Sequence, residues 1–241
     1  MSIAAYLTRQ RSRYGVDLKD RKEYWSLSAG VWAAYRCLES LAKKYFTGTV
    51  LDVGAGSQNA RPVIQKYAKR YIGLDVKDKT GALDVLNDMQ EMKDIEDESI
   101  DVVYSAGALG YARKPEKAVR EMYRVLKPNG HGIVTAPFLN GIVDEPNHLF
   151  HYTPSGLAYL FKEAGFEVIE ERRVGGIFCF LCHSASYVLL MTFWGVPLAG
   201  WLVWWLNKIL LVHPPVWLDQ VLRLNRKFPI VVVVVGKKLA G

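Results

Sequence analysis

Short apolar runs alternate with segments of helical spacing over the middle of the chain. Thr49, Val50, Leu51 and Val53 form a β-branched run that stops at Gly54-Ala55-Gly56. A strand buried on both faces of a parallel sheet has that composition. Similar runs predict strands over 71–75, 82–86, 100–105, 131–136 and 167–174. Between them, apolar residues recur at helical spacing over 61–68, over 115–126 and over 154–164. Ala118, Val119, Met122 and Leu126 mark the inner face of the second of these helices. Pro62 suits a helix start, Thr153 an N-cap and Gly165 a stop. Pro128-Asn129-Gly130 reads as a turn ahead of strand five. Upstream, Trp25, Leu27, Val31, Trp32, Tyr35, Leu38 and Leu41 share one stripe of a helix over about 22–45. Residues 1–21 are polar and basic with little period. A last run, Pro229 to Gly236, holds five consecutive valines and must be buried on both faces. Strands alternating with helices of these lengths predict an α/β protein with a doubly wound sheet.

The pattern breaks between strands six and seven. About 54 residues, 175–228, separate them, and from Val174 to Asn207 there is no Asp, Glu, Lys or Arg. Gly195, Pro197 and Gly200 interrupt the run, so it reads as two helical pieces of about 16 residues with a bend between them, each short of the roughly 20 residues that cross a bilayer. Both flanking strands belong to one sheet, so the insert leaves and returns on the same side of any membrane. A re-entrant or in-plane hairpin over 177–212 fits that constraint, with Trp and Tyr at the interface and Lys208, Arg223, Arg226 and Lys227 toward anionic head groups. A packed hydrophobic subdomain, a lid or a dimer interface is the other reading. The expected organisation is a basic arm and helix over 1–46, a core over 47–174, the insert over 175–228, and the last strand over 229–241.

Charge sharpens this division. The formal net charge is +7. Residues 1–46 carry nine Lys/Arg against four Asp/Glu, residues 47–174 carry 16 against 19, and residues 175–241 carry six against one. A slightly acidic core between basic ends suits an anionic surface. The first residues show no secretory signal, so the core is expected on the cytosolic side. The three cysteines make no disulfide framework. Cys179-Phe180-Leu181-Cys182-His183 has the form of a haem-attachment motif, but it sits in an apolar run with no export signal. No second ligand pair stands near it for zinc, and no metal is expected.

The chemistry lies at the first strand's end. Gly54 and Gly56 let a ligand approach the backbone, and Asp75, closing the run Tyr71-Ile72-Gly73-Leu74, is placed to accept ribose hydroxyls. A dinucleotide fingerprint would want a third glycine where Asn59 stands, and a P-loop lysine is absent. Asp52 suits a cationic ligand. These motifs, with Asn87-Asp88-Met89, the strand Ser99–Val103 and Glu121–Gly130, resemble the class I S-adenosylmethionine-dependent methyltransferases of the type 11 branch, over about 49–174. The resemblance implies a Rossmann-like sheet of seven strands whose last strand is antiparallel and lies beside strand five. It also implies S-adenosylmethionine as cofactor. Asp52, Gly54, Ala55 and Gly56 would shape the methionine pocket. Asp75, with Val76 beside it, would hold the ribose, Asp88 and Met89 the adenine, and Ser105 and Ala106 would lie under the sulfonium.

The chain departs from the family after strand four, where Gly110-Tyr111 replaces a frequent Glu-His. The Asn/Asp-Pro-Pro-Tyr motif of base-amine methylation is missing too. Tyr111, His148 and His151 are the candidates at the acceptor side, because the segment after strand five lies at the carboxyl end of the sheet, where acceptors bind. The expected function is methylation of an apolar or lipid-linked acceptor at a cytosolic membrane surface. Rivals are a soluble enzyme for a small hydrophobic metabolite with the insert as lid, and a non-catalytic cofactor-binding protein. No nucleic-acid partner is expected, since no RNA-binding module accompanies the charge.

Overall fold

The computed structural model describes residues 22–142, 144–194, 196 and 198–240. The basic arm over 1–21 lies outside them, as do Gly195 and Pro197 of the expected bend. The described chain groups into two compact units. One holds Leu38–Arg173 and 231–240; the other holds 22–37 and Val174–Ile230. Residues up to Cys37 thus group with the insert, and the last strand with the sheet.

The first unit is a seven-stranded sheet. The strands are β1 (Thr49–Val53), β2 (Arg70–Asp75), β3 (Val85–Leu86), β4 (Ile100–Ala106), β5 (Leu126–Pro137), β6 (Glu167–Val174) and β7 (Val231–Lys237). Their order is β3-β2-β1-β4-β5-β7-β6. Neighbours from β3 to β5 run parallel. β7 pairs antiparallel with β5, from His131↔Lys237 to Pro137↔Val231. The valine run explains the position of β7: Val232 to Val235 are all buried, as an interior strand requires. β6 forms the outer edge and alternates exposed with half-buried residues.

Seven helices follow in chain order: α1 (Ala29–Tyr45), α2 (Arg61–Ile64), α3 (Pro115–Val125), α4 (Pro154–Glu163), α5 (Ile177–Phe193), α6 (Ala199–Leu206) and α7 (His213–Val221). In the sheet unit, α3 contributes Ala118, Val119, Met122 and Val125, and α4 contributes Leu157, Ala158 and Phe161. They pack with Leu51, Val53, Val103, Val134, Val232 and Val234. Residues of opposite parity point to the other face. There Phe46, just past α1, meets the Tyr104 ring at 5.5 Å.

Several expectations need adjustment. Pro128-Asn129-Gly130 does not end an element. It is a bulge within β5, between the pairs Ile100↔Leu126 and Val102↔His131, with Asn129 at φ +65°. β3 keeps only two residues of its expected span, and α2 only four, after which turns carry the chain to Lys69 and Arg70, whose amides donate to the Gly48 carbonyl. The stretch over 22–45 is a 3-10 turn at Lys22–Ser26 followed by α1. Thr153 caps α4 as expected, its hydroxyl accepting from the Gly156 amide at 3.0 Å.

The second unit buries a few polar groups and leaves much of its apolar surface outside. Its insert forms two helical stretches, as expected: α5 ends at Phe193, and α6, starting at Ala199, continues through a π-helical turn, Asn207–Val212, into α7, with Pro214-Pro215 in the first turn of α7. Asp219, buried, accepts from the amides of Phe178 at 3.2 Å and Cys179 at 2.7 Å and so caps α5. Buried Asn207 donates to the Leu27 carbonyl at 2.9 Å, and the Ser28 hydroxyl pairs with His183 Nδ1 at 2.7 Å. Leu27 and Leu190 form a small core joined by Tyr24, Trp194, Val203 and Trp204. Outside stand Leu198, Trp201 and Trp217, exposed by 85%, 65% and 64%, with Leu181, Val188, Leu202, Ile209 and Leu210 also exposed. No residue of α6 is buried.

Gly132 and Gly236 face each other across β5 and β7, and both open onto Phe166. A Cβ on Gly236 would lie 2.6 Å from Phe161 and 2.8 Å from Phe166, whose rings pack at 4.8 Å. Gly236→Ala should therefore cost about 1–3 kcal/mol by overpacking. The check is the shift of the urea midpoint at unchanged m-value.

Candidate active site

The carboxyl ends of β1, β2 and β4 meet at one turn. The amides of Gly54 and Ala55 both donate to the Leu74 carbonyl, at 2.8 and 3.0 Å, which ties the exit of β1 to the end of β2. Gly54 has φ +74°, and a Cβ there would come 2.2 Å from that of Ala108. Only glycine combines this backbone with so close a neighbour. Gly56, also at positive φ, donates to Asp75 Oδ2 at 2.8 Å, and the Lys77 amide donates to Oδ1 at 3.2 Å. The Asp75 carboxylate is thereby fixed in orientation while keeping lone pairs for a ligand. Val76 stands beside it, largely exposed. The space over Gly107 is open, with no atom within 4 Å of a Cβ built there.

Asp52 lies deeper. It faces away from Leu51 and Val53, is buried, and accepts from the Tyr71 hydroxyl at 2.9 Å. The register explains the reach: Asp52 pairs with Gly73, which has no side chain, so Tyr71 extends over it. Burial pushes the Asp52 carboxyl up to about 7; the Tyr71 hydrogen bond opposes this and the charge of Asp75 adds to it. The Arg61 guanidinium lies over the Tyr71 ring at 5.1 Å. Tyr71 is a site residue that the strand reading missed. Its signal was a phenol inside a buried strand, which must find a polar partner.

Asp88 and Met89 sit in the loop after β3. Both Asp88 oxygens accept from the Gln90 side chain at 3.0 Å, and Oδ1 also takes the Gln90 amide at 2.8 Å. Met89 is half-buried, its Cε 3.5 Å from a Cβ built on Gly54. The loop is anchored from α3. Arg124 donates to the carbonyls of Met92 at 2.9 Å and Ile95 at 3.1 Å, and it pairs with Glu121 and Asp97. Glu121 in turn accepts the Met92 amide at 2.7 Å. Ser105 is fully buried at the end of β4, and its hydroxyl has no hydrogen-bond partner among the described residues. Ala106, next to it, is exposed.

Across the sheet end, the three acceptor-side candidates come together. Tyr111 closes a 3-10 turn, Ala108–Tyr111, and stacks flat on His148 with ring centres 5.1 Å apart and planes at 13°. His148 and His151 lie 4.8 Å apart. The loop is fastened to the turn: the amides of Leu149 and Phe150 donate to the Gly110 carbonyl at 2.9 and 3.0 Å. Gly110 has to be small, since a Cβ would meet the Phe150 carbonyl at 2.7 Å and His148 Nε2 at 3.1 Å. Burial, and then the charge of His151, hold His148 below the usual imidazole range, so its ring is neutral at neutral pH. Ile142, Leu149 and Phe150 on the same loop are exposed. Among the described residues no group of three His, Cys, Asp or Glu is placed to hold a metal.

Comparison with known proteins agrees with this geometry. Residues 51–134 match the family described as "Methyltransferase domain" (type 11). A protein of Mycolicibacterium smegmatis named a probable S-adenosylmethionine-dependent methyltransferase is 30% identical over 146 residues, covering 54% of this chain and 56% of its own length. The chain spans only 36% to 56% of the length of the curated relatives it matches. Among solved structures, a chain from the complex of the Haloferax volcanii Trm112 methyltransferase activator with its methyltransferase superposes at a TM-score of 0.58, with 19% identity and 98% of each chain covered. The [4+2]-cyclase SpnF superposes at 0.61, with 19% identity, covering 87% of this chain and 83% of its own. At that identity the likeness shows the fold alone, and a cyclase among the neighbours makes the point that one fold serves several reactions.

The raised Asp52 carboxyl has a stability consequence of definite sign. Unfolded, the group ionises near 3.9; folded, it stays protonated to about 7. Its contribution therefore falls as pH rises from about 4 to 7 and is level above that. Asp52→Asn should remove this fall, so the variant gains on the wild type between pH 5 and pH 8. Thermal melts at the two pH values check it; equal pH dependence for both proteins would contradict it.

Proposed function

We propose that this chain, whose core is a class I S-adenosylmethionine-dependent methyltransferase domain, methylates an apolar or lipid-linked acceptor while docked on the cytosolic face of a membrane. The residues at the sheet end fit the cofactor: open space over Gly107, a fixed carboxylate at Asp75 with exposed Val76 beside it, and a buried acid at Asp52. Bound there, S-adenosylmethionine supplies an electrophilic methyl group on a cationic sulfur. Asp75 would accept from the ribose hydroxyls. Asp88 and Met89 would take the adenine, with Gln90 turning aside from Asp88. Asp52 and the Gly54-Ala55-Gly56 turn would receive the methionine end, where a carboxylate suits an ammonium. The protein's task is to orient and to exclude water.

The observation that carries the membrane reading is the apolar exterior of the second unit. Ser186, Asn207 and Asp219 are buried, while Trp, Leu and Ile side chains stand in solvent. Apolar exposure on this scale marks an interaction surface. Moving one such side chain from water into an apolar medium contributes roughly 1.5–3 kcal/mol. Lys208 lies 5.5 Å from the Trp205 ring centre, the pairing of cation and indole favoured at a head-group boundary. No helix among the described residues is long and apolar enough to cross a membrane, and an in-plane hairpin needs none. The exposed Ile142, Leu149 and Phe150 near the histidines favour an apolar acceptor independently of the insert.

Two experiments test these points. Asp75→Ala should weaken S-adenosylmethionine binding by about tenfold or more, as expected for a charge-assisted hydrogen bond of roughly 1.5–3 kcal/mol. Asp75→Asn, which keeps an acceptor for the Gly56 amide, separates ligand loss from turn loss. Calorimetry in which the wild type takes no S-adenosylmethionine would overturn the cofactor assignment.

For the membrane, the wild type should float with anionic liposomes. Trp201→Asp combined with Ile209→Asp should release it, since a carboxylate at depth costs roughly 2.5–3.5 kcal/mol. Both positions are exposed, whereas Leu190 and Trp204 belong to the unit's own core and would report on folding. A wild type that never floats and stays monomeric without detergent would sink the docking and leave the insert as a lid or packed subdomain.

A further inference from the structure

We infer that His151 is the proton acceptor of the acceptor site, and that the methylated group is an ionisable hydroxyl on an apolar body. The inference deepens the methyltransferase reading above and rests on it. It starts from one contact. His151 Nδ1 lies 3.1 Å from the Phe138 carbonyl oxygen. A carbonyl oxygen can only accept, so Nδ1 carries the hydrogen, and in the neutral ring Nε2 holds the lone pair. A base whose second nitrogen is tied to a fixed acceptor has a defined tautomer and a defined direction. His151 is exposed, so the lone pair is within reach of a ligand.

His148 plays a different part. Its Nε2 is buried against Gly110, and its ring is clamped flat by Tyr111 on one side with His151 at 4.8 Å on the other. It is a positioning residue that holds the loop and the His151 ring. The absence of a side chain at Gly110 makes room for it. The chain lacks Glu-His after β4, and the loop after β5 brings an imidazole to the same turn.

The choice of acceptor follows from what a base is for. A neutral amine attacks without losing a proton first, whereas a hydroxyl must shed one as its oxygen bonds to carbon. His151 packs against the His148 imidazole, which in turn stacks on the Tyr111 phenol, and its Nδ1 faces the Phe138 carbonyl just past β5. Ile142, Leu149 and Phe150 supply the exposed apolar rim for the rest of the molecule. The balance closes: the hydroxyl proton goes to Nε2 as the oxygen takes the methyl carbon. The sulfur keeps the electron pair of the broken sulfur–carbon bond, and the positive charge passes from sulfur to the imidazolium, which returns its proton to water.

Two readouts besides turnover test this. Ring-15N spectra of the full-length wild-type chain should show His151 as the Nδ1–H tautomer; an Nε2–H tautomer would overturn the assignment. The second uses an alkyl-chain nitrophenol, whose phenolate absorbs in the visible, below its own pKa. On binding the wild type the phenolate band should appear. His151→Gln should bind the probe without the band, and turnover of a hydroxylated acceptor should fall by about 100-fold or more while S-adenosylmethionine affinity holds. A band that survives His151→Gln would remove His151 as the base, and a wild type that does not take up the probe would remove the apolar hydroxyl acceptor. Failure of S-adenosylmethionine to bind would strike the methyltransferase reading alone, because neither the tautomer nor the phenolate band depends on it.

Discussion

The architecture depends on one strand that returns late and enters the interior of the sheet. β7 lies between β5 and β6, antiparallel to β5, with Val232 to Val235 buried. An interior strand pairs on both edges and has no tolerance for a register slip, because every second side chain would change face. The facing pair Gly132 and Gly236 fixes that register sterically, by leaving the slot that Phe166 enters. With β7 set, the excursion from Val174 to Ile230 is a closed loop: the Ile230 amide donates to the Val174 carbonyl at 2.9 Å. Whatever the insert does, it does from two adjacent chain ends.

The same economy of contacts organises the site. The turn after β1 is held by the β2 carbonyl at Leu74 and by Asp75, so the groups proposed to take the cofactor are also those that shape the backbone around it. The Arg124 anchor plays the equivalent part for the Asp88 loop. On the acceptor side, the Gly110 carbonyl and Phe138 carbonyl hold the loop and one of its rings. Main-chain atoms of rigid elements thus orient the side chains and hold the site's geometry.

Much of this was legible in the chain. The valine run, the glycine turn and the helix-spaced positions of α3 and α4 each carry a local signal that tertiary contacts reinforce. Tyr111, His148 and His151 could be nominated from their place at the sheet end. Their stacking could not, because it depends on the room above Gly110 and on where the 16-residue loop 138–153 folds back. The Asp52–Tyr71 bond depends on strand register, which residue types alone do not state. Pro128-Asn129-Gly130 misled because turn residues also build bulges.

β6 cannot reach its place at the sheet edge until β7 lies beside β5, and β7 follows the insert in the chain. During synthesis, the apolar surface of α5 and α6 emerges while the sheet still lacks an interior strand. For that interval the nascent chain offers a hydrophobic face and an open β edge together, the combination most prone to association with other chains. A lipid surface that captures the insert as it emerges would shield the first and hold the β6 end near the point where β7 must arrive. On the membrane reading proposed above, the order of translation would make the same surface matter to how the protein is made as well as to where it docks.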